Sequence, residues 1–234
     1  MLALVVCMLT LQRVESSCNV PEGLCTLNLD VQKEIVDQHN DFRRNVQPTA
    51  ADMLKMSYSK EVGHSAQSWV NRCLLKHGPV MSRMINGYQM GENLFYSSYY
   101  LSWTDVIKAW HSEVEHYKFP IGSINGQPTG HYTQMVWKGS YKIGCGVKLC
   151  GEVFLYGCQY YRAGNFRFWN PYTVGPSCQA CPNDCEDRLC TNPCPHINNN
   201  VYCPLKALDK VCSNEQFKMC PASCSCKTEI IPIG

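Results

Sequence analysis

The 234-residue chain carries 21 Lys+Arg against 19 Asp+Glu, a formal net charge of +2, and 45% of its residues are hydrophobic. No Lys/Arg run stands out, so charge gives no case for nucleic acid, while the apolar content suffices for an ordinary core. Seventeen cysteines are the outlying quantity, and their meaning depends on the compartment.

The N-terminus indicates that compartment. Residues 2–11, "LALVVCMLTL", form an apolar run too short to span a bilayer. Val14 and Ser16 suit the small-residue positions of a signal peptidase site, which places the cut after Ser16. Cys7 leaves with residues 1–16, and the remaining sixteen cysteines imply eight disulfides in a secreted protein. No later run approaches membrane length, and no Asn-x-Ser/Thr sequon occurs.

Residues 17–29 form an N-terminal arm containing Cys18 and Cys25. Asp30 is the expected cap of a first helix, with Ile35, His39, Phe42 and Val46 on one face. Ser59 caps a second, whose inner side is Val62, Ala66, Trp69, Val70 and Cys73. A third is expected from about Ser102 to Tyr117, with the stripe Val106, Trp110, Glu113 and Tyr117. Glu113 sits within an apolar face and therefore needs a partner. After residue 137 the period shortens, and "YKIGCGVKLCGEVFLYGCQYYR" reads as two strands around a turn at Gly151. Gly144, Gly146 and Gly157 predict close backbone approach or bulges. Helices first and strands later give an α+β fold. Pro171, Gly175 and Pro176 mark a boundary, after which ten cysteines crowd into Cys178–Cys226, a stretch too short to stabilise itself without cross-links.

Four stretches, "HNDFR" (39–43), "GENL" (91–94), "GHYTQMVW" (130–137) and "LYGCQYYRAGNF" (155–166), together resemble the signature motifs of the CAP superfamily. The tail, "CQACPNDCEDRLCTNPC" followed by Cys203, Cys212, Cys220, Cys224 and Cys226, resembles the ion-channel-regulator region of the cysteine-rich secretory proteins, or CRISPs. The resemblance implies an α-β-α sandwich over 30–175, a disulfide-bonded hinge over 176–193, a small, mainly helical ShKT-like module over 194–226, and a short tail over 227–234. It further implies the pairs Cys73–Cys150, Cys145–Cys158, Cys178–Cys185, Cys181–Cys190, Cys194–Cys226, Cys203–Cys220 and Cys212–Cys224. Cys18 and Cys25 lie outside the common pattern and are expected to bond to each other. Met90 and Tyr161 stand where the family has a bonded cysteine pair, a loss of ~2–4 kcal/mol unless packing compensates.

By the same resemblance His77, Glu92, Glu113 and His131 share a solvent-facing cleft. Three readings stay open. One is a structural His/Glu network. Another is a metal site, with His77 and His131 as nitrogen ligands for zinc, which the fold would not require. The third is hydrolysis by a general base, for which no G-x-S-x-G or H-E-x-x-H motif is present. His39 is read as a core residue, and His64, His111, His116 and His196 as surface or rim residues. The family implies a secreted, non-enzymatic, monomeric ligand of ion channels (voltage-gated calcium or potassium, ryanodine or cyclic-nucleotide-gated), and residues 47–59 lean toward venom members. A sterol- or receptor-binding protein of the reproductive tract is the alternative. From Cys178 onward five Lys/Arg face six Asp/Glu, which gives no strong steering toward a cation pore. The tail is expected to contact a channel or other cell-surface protein, through Phe217 with Lys218; the boundary aromatics Phe166, Phe168, Trp169 and Tyr172 are the second surface, with an interdomain core as their alternative reading.

Overall fold

A computed structural model of the protein describes residues 18–198, 203, 212 and 220–232. The residues of the expected signal segment, and Phe217 and Lys218, lie outside these.

Four helices form the first part: α1 (Leu29–Arg44), α2 (Lys60–Val70), α3 (Trp103–His111) and α4 (Gly130–Met135). The strands are β1 (Ser57–Tyr58), β2 (Met84–Ile85), β3 (Tyr88–Gln89), β4 (Gly91–Ser97), β5 (Tyr117–Lys118), β6 (Gly122–Ser123), β7 (Lys142–Cys150) and β8 (Val153–Tyr161). One four-stranded sheet runs β1-β7-β8-β4, parallel only between β1 and β7. The helix α2 covers one face, and α1, α3 and α4 pack together over the other, so the fold is an α-β-α sandwich.

Side-chain alternation along β7 and β8 explains this layering. Ile143, Cys145, Val147, Tyr156, Cys158 and Tyr160 enter the main core with Ile35, Trp103, Val106, Trp110 and Tyr132. The intervening Gly144, Gly146 and Gly157 turn toward α2. A Cβ on Gly144 would fall inside the Gly63 and Val62 backbone, and one on Gly146 would lie 2.5 Å from Gln67 Cα. The expected close approach is therefore helix backbone on strand backbone. Gly144→Ala should cost about 2–3 kcal/mol, since no flexible side chain can yield, and urea unfolding should show it as a lower midpoint.

Local caps refine the expected boundaries. Asn28, not Asp30, caps α1: its side chain accepts from the Asp30 amide at 2.9 Å. Ser59 caps α2 as expected. The third helix is α-helical only to His111 and tightens into a 3-10 turn over Ser112–His116, which swings Glu113 toward α4.

Among the described residues eight disulfides are formed: Cys18–Cys25, Cys73–Cys150, Cys145–Cys158, Cys178–Cys185, Cys181–Cys190, Cys194–Cys226, Cys203–Cys220 and Cys212–Cys224. They coincide with the expected pairs. At the position of the missing family disulfide, Met90 is buried with Val62 and Ile85. The Tyr161 ring meets Tyr88 and Tyr141 edge-on, Lys142 Nζ lies 5.2 Å from its centroid, and the Arg162 guanidinium lies 4.7 Å from that of Tyr88. Aromatic and cation–π packing occupies the place of the covalent link.

After residue 176 the chain forms the small hairpin β9 (Cys185–Glu186) and β10 (Leu189–Cys190) and, later, the short helix α5 (Pro221–Ser225). The hairpin is tied to the sandwich. The Lys55 amide donates to the Cys190 carbonyl and the Cys190 amide to Met53, both at 2.8 Å, while Lys55 pairs with Glu186 and Arg44 with Asp187. Among the described residues no helix is long and apolar enough to cross a membrane.

Candidate functional site

The misplaced carboxylate of the third helix has its partner at the N-terminus of α4. Glu113 Oε2 accepts from the backbone amides of His131 (2.8 Å) and Tyr132 (3.0 Å), two donors that a helix start leaves unpaired. Glu113 Oε1 accepts from His131 Nδ1 at 2.6 Å. Burial pushes the Glu113 carboxyl up, but the hydrogen bonds from the His131 ring and the two amides outweigh it and hold the group below its usual range. A carboxylate only accepts, so His131 Nδ1 donates to Glu113 and its Nε2 takes no part in the pair. The Trp110 ring stacks over this imidazole at 6.3 Å.

A second pair repeats the arrangement. Glu92, on the edge strand β4, has a side chain only 2% exposed, while that of His77 is 59% exposed. Glu92 Oε1 accepts from His77 Nδ1 and the Gly78 amide, each at 2.9 Å, and Oε2 accepts from Gln159 Nε2 at 3.2 Å. Gln159 faces Glu92 directly across the β4–β8 ladder. Again Nδ1 donates to the carboxylate and Nε2 takes no part in the pair.

The core braces the site from below. Asn93 Nδ2 donates to the His131 carbonyl and to the Tyr160 hydroxyl, both at 3.1 Å. The Tyr160 hydroxyl donates to His39 Nε2 (3.0 Å), and His39 Nδ1 donates to the Ile35 carbonyl (2.7 Å). Complete burial lowers the His39 pKa to about 4, so it stays neutral and structural. His111 is half-buried at the rim. It stacks on Phe42 at 3.8 Å and meets Tyr132 edge-on, and burial lowers its pKa. His64 and His196 are exposed, and His116 is partly covered, with its ring bonded to Asn125.

The four expected residues therefore form two carboxylate–imidazole pairs. Among the described residues, the only trio of potential metal ligands with donor atoms within 4.8 Å of one another is Cys178, Cys181 and Cys190, all consumed in disulfides. Sequence reasoning missed Gln159, Gly78, Asn93 and Trp110. Asn93 lies inside "GENL" and Trp110 on the apolar stripe, but the part played by Gln159 follows from strand register. Of the boundary aromatics, Phe168 is 92% and Trp169 39% exposed, and Phe166 packs partly on Trp137. Tyr172 is a correction: only 2% exposed, it stacks on Phe119 in the main core and presents no contact surface.

Glu113→Ala strips the acceptor from two α4 amides and one imidazole N–H, and should cost about 2–3 kcal/mol at neutral pH. The folded-state pKa is depressed, so this contribution is complete above the ordinary carboxyl value of 4.5 and is lost as pH falls through the folded value. Urea unfolding of both proteins from pH 7 to pH 3 should show a constant difference that shrinks below about pH 4.5.

Residues 36–161 match the profile of the cysteine-rich secretory protein family, CAP, and residues 178–231 match that of the Crisp region. Among solved structures, Na-ASP-1 is 31% identical with a TM-score of 0.61, the match covering 69% of this chain and 47% of that one. NaASP2, solved with Zn2+, is 29% identical with a TM-score of 0.62, covering 74% of this chain and 99% of that one. BmVAL-1 is 28% identical with a TM-score of 0.61, covering 74% and 98%. With more than half of its length in the first profile and its cysteine-dense end in the second, the chain belongs to the CAP family of cysteine-rich secretory proteins.

Proposed function

We propose that the protein is a secreted, non-enzymatic ligand of ion channels of the venom type, that its boundary loop makes the contact, and that His77 and His131 bind zinc. The observation that carries the channel reading is the loop between the two family-matched segments. Phe168 stands almost wholly in solvent, at φ +71°, with the Arg167 guanidinium 4.8 Å from its ring centroid and Trp169 beside it. A large exposed aromatic pair of this kind is the composition of an interface hot spot. The loop is braced: the Gly164 amide donates to Gln134 Oε1 (2.9 Å), Asn165 Nδ2 to the Gly130 carbonyl (2.8 Å), and the Lys138 amide to the Pro171 carbonyl (2.8 Å). Little conformational entropy would be lost on binding. Eight disulfides suit an extracellular setting. Both carboxylates spend both oxygens on donors, which suits orienting an imidazole more than taking a proton from water. Voltage-clamp recording of calcium and potassium channels exposed to the whole protein tests the reading.

The zinc reading rests on the Nδ1–carboxylate hydrogen bonds of His77 and His131. A carboxylate on Nδ1 leaves Nε2 as a metal donor, the arrangement in which an outer carboxylate raises the basicity of a ligating histidine. Glu92 and Glu113 would orient the ligands, and bound zinc would supply a positive charge at the mouth of the site. The likeness to NaASP2 solved with Zn2+ supports it. Titration calorimetry should find zinc binding that weakens at acid pH, as protons compete for the nitrogens. The His77→Ala, His131→Ala double variant should lose it by at least tenfold, and unchanged affinity in that variant would remove the site.

A further inference from the structure

A cavity of about 540 Å³ lies away from the His/Glu pairs, between the N-terminal arm, α2 and β7. That volume is in the range of small-molecule sites. One wall is apolar: Val20 and Leu27 come from the arm, which Cys18–Cys25 closes into a loop, and Val147 comes from β7. Two cationic side chains line it as well, Lys60 from α2 and Lys148 from β7, with the His64 imidazole of α2 beside them, and no Asp or Glu does. None of the three is in an ion pair among the described residues. Two of the neutral polar groups of the cavity are already engaged. The Gln67 amide bonds the Val147 backbone in both directions (2.9 and 3.1 Å), and the Tyr58 hydroxyl donates to the Cys145 carbonyl. What the cavity offers a guest is positive charge outside any ion pair among the described residues, with the Asn19 side chain near it, beside an apolar wall.

We propose that this cavity binds a small organic anion with an aliphatic body, a monocarboxylate, whose head meets Lys60, His64 and Lys148 and whose chain lies on Val20, Leu27 and Val147. The charge selects the head, because a neutral head of the same length leaves the two lysines without a counter-ion and gains no charge-assisted hydrogen bond from them. The arm makes one wall of the site and not merely a terminal strap.

Titration calorimetry of the full, disulfide-bonded protein with octanoate and with 1-octanol tests this. Octanoate should bind saturably at one site, and 1-octanol at least tenfold more weakly. The Lys60→Ala, Lys148→Ala double variant changes partly or fully exposed residues and should fold normally, yet lose octanoate affinity at least tenfold. Leu27→Glu, which sets a carboxylate in the wall, should lose it too. No saturable octanoate binding, equal binding of 1-octanol, or wild-type affinity in the double variant would each overturn the assignment.

Discussion

Replacing Arg43 by methionine should destabilise the protein by about 3 kcal/mol or more. The guanidinium is buried and has no carboxylate partner among the described residues. It donates instead to backbone carbonyls: Nε and Nη2 to Leu54 at 3.0 and 2.6 Å, Nη1 to Met135 and Trp137 at 2.8 Å each, and Nη2 to Lys138 at 3.3 Å. One side chain of α1 thereby holds the segment before β1 against the end of α4. Burial opposes the charge and draws its pKa down to about 9, so the group remains protonated at neutral pH. In the methionine variant, the Ser140 amide still serves Trp137 and the Leu54 amide still serves Lys138, but the Leu54 and Met135 carbonyls lose their donor. Arg43→Lys should recover only part of the loss, because an ammonium offers its donors from one point and cannot span the fork. Urea unfolding with disulfides intact gives the midpoints. A loss below about 1 kcal/mol would mean that water takes over the carbonyls.

The sequence made Glu113 visible as a carboxylate on an apolar stripe, because burial without a partner is costly. It did not show what the partner is. That partner is the first turn of α4 together with a ring nitrogen, an arrangement that exists only once α3 tightens at Ser112 and α4 is docked beside it. Gln159 escaped for a similar reason, since its place opposite Glu92 is a property of strand register. The glycines of β7 announced close approach, and α2 is what approaches. The cap of α1 was misplaced by two residues because Asn28 and Asp30 are both good caps, and tertiary context selects the earlier one. Tyr172 lies beside the exposed boundary aromatics in sequence but not in space. Phe119 covers it, and which way a loop aromatic faces is decided by packing that local sequence does not encode. The disulfide partners came from family resemblance, since ten cysteines within one short segment do not specify their own pairing.

The boundary loop carries the second large effect. Phe168 and Trp169 are exposed on a braced loop, so removing their rings should leave the fold intact and act on binding alone. Phe168→Asn suits the positive φ at this position, which asparagine tolerates better than most residues. Combined with Trp169→Ala, it deletes two rings of the kind that contribute about 2 kcal/mol or more each at a hot spot, where about 1.4 kcal/mol is tenfold in affinity. Lys218 is the competing contact: a lysine that enters a pore would make block depend on voltage, whereas an aromatic cap over the channel mouth would not. The decisive measurement is the concentration dependence of channel block under voltage clamp for the wild type, the Phe168→Asn/Trp169→Ala variant and Lys218→Ala. The aromatic account predicts that the double variant weakens block at least about thirtyfold and that Lys218→Ala changes it less than about threefold. Wild-type block in the double variant, or no block by the wild-type protein on any calcium or potassium channel tested, would contradict it.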